Sequence, residues 1–284
     1  MAAERAGVSI ENVSKTFTVR SGKQTRELHV LDRVSLHIEP GEIVALTGLS
    51  GCGKTTLLRI LLGLEYADSG RVVVDGTEVH GCGTDRSMVF QHAQLFPWRT
   101  ALENVEFGLE ARGVGKDERR RVALDRLRLV GLGDAVDRRP DQLSGGMQQR
   151  VGLARALSVD PAVLLMDEPF GALDAQTREG LQAEVLRIHR ETGTTIVFVT
   201  HDLDEAVLLA DRVVLMAPGP GRIDEVFRVE LARPRTDLVT VRGLEEFGAK
   251  RYEIWRRLMA GAHPQTASGE AAVSQTPAPD GVAS

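Results

Sequence analysis

Residues 42–64 read EIVALTGLSGCGKTTLLRILLGL and decide the fold of this chain. The run 42–47 is apolar and β-branched, which predicts a buried strand, and the run 56–64 has the apolar spacing of a helix. Between them, residues 48–55 match the pattern G-x-x-x-x-G-K-[ST]. A buried strand, a glycine-rich turn and a helix in this order predict an α/β domain with a ligand at one edge of its sheet.

The glycine-rich turn is suited to holding phosphate groups. Glycine lets phosphate oxygens approach the backbone without meeting a Cβ, and the helix amides behind the turn form a nest for an anion. Lys54 adds positive charge for the β- and γ-phosphates, the Thr55 hydroxyl can bind Mg²⁺, and Thr56 can donate to the α-phosphate. Cys52 fills a free position of the pattern and is not assigned as a nucleophile. The turn therefore predicts nucleoside triphosphate binding by Gly48, Ser50, Gly51, Cys52, Gly53, Lys54, Thr55 and Thr56.

Two acidic residues follow a second apolar run, VLLM at residues 163–166. Consecutive side chains of a strand point in opposite directions, so Asp167 and Glu168 should have different roles. We assign Asp167 to a metal ion, directly or through water, and Glu168 to the attacking water as general base or positioning group. Considered alone, the pair could instead cap the following helix.

Other apolar runs extend the predicted sheet. After residue 160 they alternate with helical patterns at 173–191 and 203–210, which predicts a mostly parallel sheet covered on both faces. In the first 80 residues the predicted strands are shorter and separated by turn signals, which predicts an added antiparallel sheet. The strand candidates are 42–47, 71–74, 163–166, 195–200 and 212–216.

The remaining segments predict helices and a tail. Residues 98–160 lose the strand pattern and include a helical run, which predicts a helical insert. Apolar residues at helical spacing after Pro234 predict one amphipathic helix over about 236–262. Residues 263–284 are small and polar, which predicts a disordered tail. We therefore expect one domain over residues 1–262.

Composition excludes several classes of protein. Apolar residues make up 42% and charged residues 26% of the 284 residues, as in ordinary globular proteins. The formal net charge of −5 lacks the basic surplus of a general nucleic-acid binder. No apolar run approaches the ~18 to 20 residues that span a bilayer. The two cysteines, Cys52 and Cys82, supply no disulfide framework, which fits a reducing cytosol.

Residues 143–150 read LSGGMQQR and open another apolar helix. Ser144 at a helix N-cap, followed by Gly145 and Gly146, forms a second anion nest. This segment resembles the signature motif of ATP-binding cassette (ABC) ATPases. In that family the signature motif of one subunit closes over the nucleotide held by the phosphate loop of the other, which would explain two phosphate-binding turns in one chain.

The other motifs of that family appear in its order, and the resemblance covers about residues 8–230. There are two departures: the stacking aromatic is more often Tyr, and Leu49 is bulkier than the residue expected in the phosphate loop. The counterparts of the Q-loop glutamine, the D-loop, the switch histidine and the adenine-stacking aromatic are Gln91, residues 171–174, His201 and Phe17.

The resemblance implies a P-loop NTPase fold with a RecA-like core, an N-terminal antiparallel β-subdomain and an inserted α-helical subdomain. It implies ATP and Mg²⁺ as cofactors, and a homodimer in which each ATP lies between residues 48–56 of one copy and 144–146 of the other. It assigns catalysis to Glu168, His201 and Gln91, the metal to Thr55, Gln91 and Asp167, and further nucleotide contacts to Phe17, Ser144, Gly145 and Gly146.

Two further segments are similar to ATPases of the nitrate, sulfonate and taurine importer family: residues 95–98 (LFPW) and residues 213–235. The likeness implies a peripheral subunit at the cytoplasmic face of the cell membrane. Its partners would be two integral membrane permease subunits and a periplasmic or extracellular solute-binding protein. The cargo would be a small anionic solute of the sulfonate, taurine or nitrate type.

Residues 90–98 resemble the segment that receives the coupling helix of a permease, and packing in the protein core is the alternative for Phe96 and Trp98. Other cargos and directions stay open, namely import of a thiamine-precursor pyrimidine or export with a separate ATPase. An ABC ATPase that transports nothing is a further alternative. No long coiled coil fits between Lys54 and Ser144, and a second cassette is lacking, so we expect no nucleic acid partner.

Overall fold

The computed structural model describes residues 7–21 and 24–262, so the predicted tail lies outside the described part. None of the helices within these residues is both long and apolar enough to cross a membrane. The strands are β1 (Val8–Ser21), β2 (Gln24–Ile38), β3 (Ile43–Gly48), β4 (Ser69–Val74), β5 (Thr77–Glu78), β6 (Arg86–Val89), β7 (Val163–Asp167), β8 (Thr195–Val199), β9 (Arg212–Ala217) and β10 (Arg222–Arg228). The α-helices are α1 (Lys54–Leu62), α2 (Ala101–Ala111), α3 (Lys116–Leu129), α4 (Gly145–Ser158), α5 (Ala175–Thr192), α6 (Leu203–Leu209), α7 (Leu238–Arg242) and α8 (Glu245–Ala262).

The larger sheet forms the core of the protein. Its strand order is β10-β9-β3-β8-β7-β6, in which β10 runs antiparallel to β9 and the other neighbouring pairs are parallel. Every residue of β3 and β8 is buried. Strands covered on both faces need apolar side chains at every position, which explains why these runs are continuous in the sequence. The predicted α/β fold with a mostly parallel sheet is confirmed.

The carboxyl ends of four adjacent strands meet at one edge of this sheet. Leu46 of β3 and Asp167 of β7 both pair with Val199 of β8. Val89 of β6 pairs with Met166 of β7. The segments that follow β3, β8, β7 and β6 therefore lie side by side, which is where α/β sheets bind their ligands.

The second sheet has the order β2-β1-β4-β5 and is antiparallel, as predicted. The expectation of short strands is wrong, because β1 has 14 residues and β2 has 15. The outer ends of these strands pair as a ribbon in which Val19 and Leu28 are exposed to solvent. Such a ribbon carries mostly polar residues, so no apolar run reveals its length in the sequence.

Helices α2, α3 and α4 fall within the predicted insert 98–160 and pack against one another. Asn104 of α2 is fully buried, and its side chain donates to the carbonyl oxygens of Phe96 and Arg99. A buried amide bonded in this way fixes the chain that leads into α2. The assignment of residues 1–262 to one domain with a helical insert stays a prediction.

The predicted C-terminal helix over 236–262 is divided into α7 and α8. Asp237 caps α7 by accepting two backbone N–H groups, and Gly243 ends that helix. Helix α8 then contacts α6 and β9, and its Phe247 and Ile254 are buried. The apolar spacing alone does not reveal the break, because residues on both sides of Gly243 face the protein at similar intervals.

Candidate nucleotide and catalytic site

The turn between β3 and α1 has the backbone geometry that its glycines predict. Gly48, Gly51 and Gly53 have φ angles of 145°, 81° and 89°, which residues with a Cβ rarely adopt. A Cβ at Gly48 would stand 2.5 Å from the carbonyl oxygen of Met216. Helix α1 begins at Lys54, so its first N–H groups are available to an anion in the turn.

Lys54 lies across this turn. Its Nζ donates to the carbonyl oxygens of Gly48 at 2.8 Å and Leu49 at 3.1 Å. The same nitrogen is 3.6 Å from Sγ of Cys52, whose side chain is buried. Lys54 therefore brings a fixed positive charge to the inside of the turn, and Cys52 fills the space beside it.

Thr55 and Asp167 meet where the turn faces the end of β7. Thr55 Oγ1 donates to Asp167 Oδ1 at 3.1 Å. Burial raises the pKa of the Asp167 carboxyl above its usual range, and the hydrogen bond from Thr55 opposes this shift. Mg²⁺ prefers oxygen ligands and usually takes one or two carboxylates together with phosphates of the substrate. The hydroxyl and the carboxylate fit such an ion.

The three residues predicted to be catalytic meet at one carboxylate. Glu168 Oε2 accepts a hydrogen bond from Gln91 Nε2 at 3.3 Å and is 3.4 Å from His201 Nδ1. The φ angle of Glu168 is 45°, in the left-handed region. For a residue other than glycine this conformation costs of order 1 kcal/mol, and such residues cluster at functional sites. Glu168 is thus held in a strained position between Gln91 and His201.

The turn that begins α4 is a separate exposed feature. Ser144 caps the helix, because its Oγ accepts from the N–H of Met147 at 3.3 Å. Ser144 and Gly145 are exposed, whereas Gly146 is buried against Thr177, whose side chain a Cβ at position 146 would overlap. The exposed helix start offers N–H groups to an anion.

Helix α4 also holds the segment that follows β6. Gln149 Nε2 donates to the carbonyl oxygen of Phe90 at 2.9 Å. Arg155 donates to the carbonyl oxygen of Ala93 at 2.6 Å, and burial lowers the pKa of its guanidinium. Gln91 lies in the same segment. Helix α4, which begins with the signature turn (residues 144–146), is therefore bonded to the chain on both sides of Gln91.

Phe17 and the D-loop, residues 171–174, complete the predicted set. Phe17 lies half-buried on β1, and Lys15 Nζ is 5.1 Å from the centre of its ring. Asp174 caps α5 by accepting from the N–H of Thr177 at 3.0 Å. Its hydrogen bonds with Thr177 lower the pKa of the Asp174 carboxyl. The stacking of Phe17 on adenine stays a prediction.

Sequence reasoning missed the residues that lie behind His201. Thr200, Gln182 and Glu205 form buried hydrogen bonds there. One signal was available, because Glu205 is an acidic residue in the apolar run 203–210. A charged side chain is rarely buried without partners, so its place in an apolar helix marks a network.

Comparisons with known proteins agree with this geometry. A family model described as ABC transporter matches residues 31–171. An uncharacterized ABC transporter ATP-binding protein of Methanocaldococcus jannaschii is 49% identical over 238 residues, which is 84% of this chain and 87% of that protein. A taurine import ATP-binding protein of Burkholderia pseudomallei is 49% identical over 228 residues, covering 80% of this chain and 86% of the relative. A bicarbonate transport ATP-binding protein of Synechococcus elongatus is 46% identical over 231 residues, covering 80% of this chain but 34% of that longer protein.

Solved structures give the same result. A dimeric ATP-binding cassette in a post-hydrolysis state, bound to ADP and phosphate, matches with a TM-score of 0.69 and 34% identity. That match covers 79% of this chain and 100% of the other, and a second dimeric structure, of a bacterial ABC transporter cassette, matches equally well. The predicted P-loop NTPase fold is thereby confirmed. On this sequence identity and this fold, the chain belongs to the ABC transporter family, as one of its ATP-hydrolysing cassettes.

Proposed function

We propose that this cassette is the ATP-hydrolysing subunit of an importer that takes up a small anionic solute through a separate permease. The relatives support this proposal, because one is named for taurine import and another for bicarbonate transport. Taurine carries a sulfonate group and bicarbonate is itself an anion. The cargo of this chain would therefore be a solute of the sulfonate, taurine, nitrate or bicarbonate type.

The observation that carries the proposal is an aromatic cluster with two exposed rings, Trp98 and Phe107, beside the segment of Gln91. This cluster, the Trp98 patch, consists of Phe96, Trp98 and Phe107. The ring centres of Phe96 and Trp98 are 5.6 Å apart, and those of Phe96 and Phe107 are 4.6 Å apart. Trp98 is 69% exposed, so core packing does not account for it. Exposed aromatic clusters of this kind favour contact with another macromolecule, and we assign the patch to the permease.

The Trp98 patch is connected to the catalytic segments. The guanidinium of Arg99 lies 5.7 Å from the ring centre of Phe96, and that of Arg155 lies 6.0 Å from it. Arg155 also bonds to the chain beside Gln91 and belongs to α4. A permease segment that moves on the patch would therefore displace both Gln91 and the signature turn.

Within each site, Glu168 takes the proton of the attacking water or holds that water in line with the γ-phosphate. Gln91 and His201 fix its carboxylate. Thr55 and Asp167 would hold Mg²⁺, with the Gln91 amide oxygen as a further ligand, and the ion would supply positive charge that neutralises the phosphates of ATP. Residues 48–56 take the phosphates of ATP.

Two copies of the chain act together in this proposal. Each copy closes residues 144–146 over the ATP held by residues 48–56 of the other. The exposed start of α4 supports this arrangement, and so does the dimeric state of the two similar cassettes of known structure. The dimer works at the cytoplasmic face of the membrane with two permease subunits and a separate solute-binding protein.

The test is the ATPase activity of the full chain in liposomes, reconstituted with the permease that co-purifies with it. We expect several-fold stimulation by a solute-binding protein loaded with taurine, an alkanesulfonate, nitrate or bicarbonate. Stimulation only by a binding protein loaded with a pyrimidine would show that the cargo is not an anion. ATP-driven efflux would show that the transporter is an exporter. Co-purification with ribosomes or DNA, and with no membrane protein, would contradict a transport function.

A further inference from the structure

The turn that carries His201 is held by one buried hydroxyl group. Thr200 Oγ1 accepts from the N–H of Asp202 at 3.0 Å and donates to Glu205 Oε2 at 2.6 Å. Thr200 and Glu205 are 2% and 5% exposed, whereas the side chain of His201 is 69% exposed. Because the imidazole has little packing of its own, its position depends on the backbone that Thr200 and Glu205 fix.

Glu205 also connects this turn to the C-terminal helices. Gln182 of α5 is fully buried and donates from Nε2 to Glu205 Oε1 at 3.3 Å. Its Oε1 accepts from Nη2 of Arg242, at the end of α7, at 3.0 Å. Arg242, Gln182, Glu205 and Thr200 thus form a continuous chain of hydrogen bonds, the Arg242 relay, which ends at the residue before His201.

Charged groups surround Glu205 on the side of the D-loop. Arg178 Nε is 4.0 Å from Glu205 Oε1, and Arg178 Nη1 is 3.9 Å from Asp202 Oδ2. Arg178 Nη2 donates to the carbonyl oxygen of Leu173 in the D-loop at 3.0 Å, while its buried Nε has no hydrogen-bond partner among the residues that the structure describes. Burial raises the pKa of the Glu205 carboxyl, and the hydrogen bond from Thr200 opposes this shift. A buried carboxylate destabilises a fold unless it is well paired, so its presence here points to a use beyond packing.

We propose that Glu205 is a positioning residue for ATP hydrolysis, and that the C-terminal helices adjust it through the Arg242 relay. Glu205 and Thr200 set the backbone angle at which His201 meets Glu168. A movement of α7 shifts Arg242 and Gln182. This shift changes the hydrogen bonds by which Glu205 and Thr200 fix the turn that carries His201. This inference rests on the proposed role of His201 in hydrolysis.

Thr200→Val tests the hold on the turn, because it keeps the shape of the side chain and removes the hydroxyl. We expect kcat for ATP hydrolysis to fall about tenfold or more with KM for ATP within about twofold, since a misplaced catalytic group costs rate more than binding. Thr200→Ser keeps the hydroxyl and should restore kcat. An unchanged kcat in Thr200→Val would overturn the proposal. So would an equal loss of ATP affinity or a failed rescue by serine, because either result indicates general disruption.

Arg242→Met tests the relay, and Arg257→Met is its matched control. Arg257 lies on α8 and pairs with Asp224 of β10 at 2.7 Å, outside the relay. We expect a several-fold loss of kcat in Arg242→Met, with unchanged ATP affinity, and wild-type kinetics in Arg257→Met. Equal kinetics in the two variants would overturn the link from the C-terminal helices to the switch histidine.

His201→Ala separates failure of this inference from failure of the proposed catalytic role. If His201→Ala hydrolyses ATP normally, the role of His201 is wrong and the positioning of Glu205 falls with it. If His201→Ala loses hydrolysis while Thr200→Val keeps it, the role of His201 stands and only the positioning by Glu205 is overturned. Circular dichroism and thermal unfolding of each variant establish that all of them are folded.

Discussion

Glu168 combines a left-handed backbone with a carboxylate that lies between Gln91 and His201. A strained residue persists only where the surrounding structure fixes it, and strain of this kind clusters at reactive groups. The preceding residue, Asp167, has a different partner, because its carboxylate accepts a hydrogen bond from Thr55. The two adjacent acids thus have different partners, which agrees with the separate roles proposed for them in positioning the water and holding the metal.

Glu168→Gln keeps the size of the side chain and removes its basicity. Steady-state hydrolysis should fall by about a hundredfold or more, while ATP affinity stays within about twofold and an ATP-bound dimer accumulates. Phosphate release measures the first effect and light scattering the second. Glu191→Gln, the control, changes an exposed acid that pairs with Arg187. Its rate of hydrolysis and its amount of ATP-bound dimer should equal those of the wild type. Normal turnover in Glu168→Gln would remove this residue from the mechanism.

The buried carboxyl of Glu205 gives a prediction on pH and stability. Burial raises the pKa of Glu205 above its usual range. A carboxyl with a raised pKa stabilises the fold below its unfolded-state pKa, about 4.3, and this contribution is lost as pH rises through the folded-state value. Glu205→Gln cannot titrate, so the unfolding free energy of wild type minus that of the variant should decrease as pH rises above the unfolded-state pKa. Urea denaturation at several pH values measures it, and a difference independent of pH would contradict the burial argument.

Most predicted site residues come from segments in which chemistry dictates the residue type. The glycines of residues 48–53, the Lys54 ammonium and the acids after β7 are residue types that a phosphate or a metal site requires, so the sequence alone is enough to propose them. Glu205 and its partners could not be found in this way. Their role depends on hydrogen bonds between elements far apart in the sequence, and spacing within one element does not reveal such bonds.

At the scale of single elements, α4 joins two parts of the site. Its first turn contains Ser144, and Gln149 and Arg155 bond to the chain beside Gln91. A rigid helix transmits a displacement from one end to the other, because its backbone hydrogen bonds resist bending. In the proposed function, movement at the Trp98 patch and closure over a second nucleotide would therefore occur as one motion.

Ser144→Arg should separate nucleotide binding from closure of the dimer. The variant loses the N-cap, which costs about 1 kcal/mol of stability, and its long side chain fills the exposed nest. We expect ATP binding to residues 48–56 to persist and the ATP-dependent dimer to be lost. Light scattering in the Glu168→Gln background measures dimer formation, with Ser144→Thr as the control that keeps the cap. Loss of ATP binding itself would show that Ser144 acts within one copy.

The elements that the sequence predicts best are those buried on both sides. For β3, β7, β8 and β9 the apolar run and the strand agree to within one or two residues. The ribbon of β1 and β2 is not found, because its exposed pairing leaves no apolar periodicity to detect. The break between α7 and α8 is not found, because the apolar spacing continues across Gly243.

At the scale of the whole molecule, the candidate site at the sheet edge and the Trp98 patch are separate parts of one structure. A variant in the patch should therefore keep ATP hydrolysis and lose its stimulation by the permease. Trp98→Ala should keep basal ATP hydrolysis within about twofold and lose most of the stimulation by permease and loaded binding protein, because exposed aromatic anchors dominate interfaces. Tyr66→Ala, which removes another exposed aromatic ring, is the control and should keep the stimulation. Full stimulation in Trp98→Ala would place the permease elsewhere on the cassette.

Because Cys52 is buried, the rate at which its thiol is alkylated can report how often the phosphate loop opens. Cys82 is exposed and Cys52 is buried beside Lys54, so an alkylating reagent reacts with the first thiol at once and with the second only when the loop opens. At a reagent concentration at which alkylation is faster than closing, the slow phase of labelling measures the opening rate of the loop. Any ligand that holds the loop closed lengthens that phase, and its occupancy can be read from thiol chemistry without an added probe.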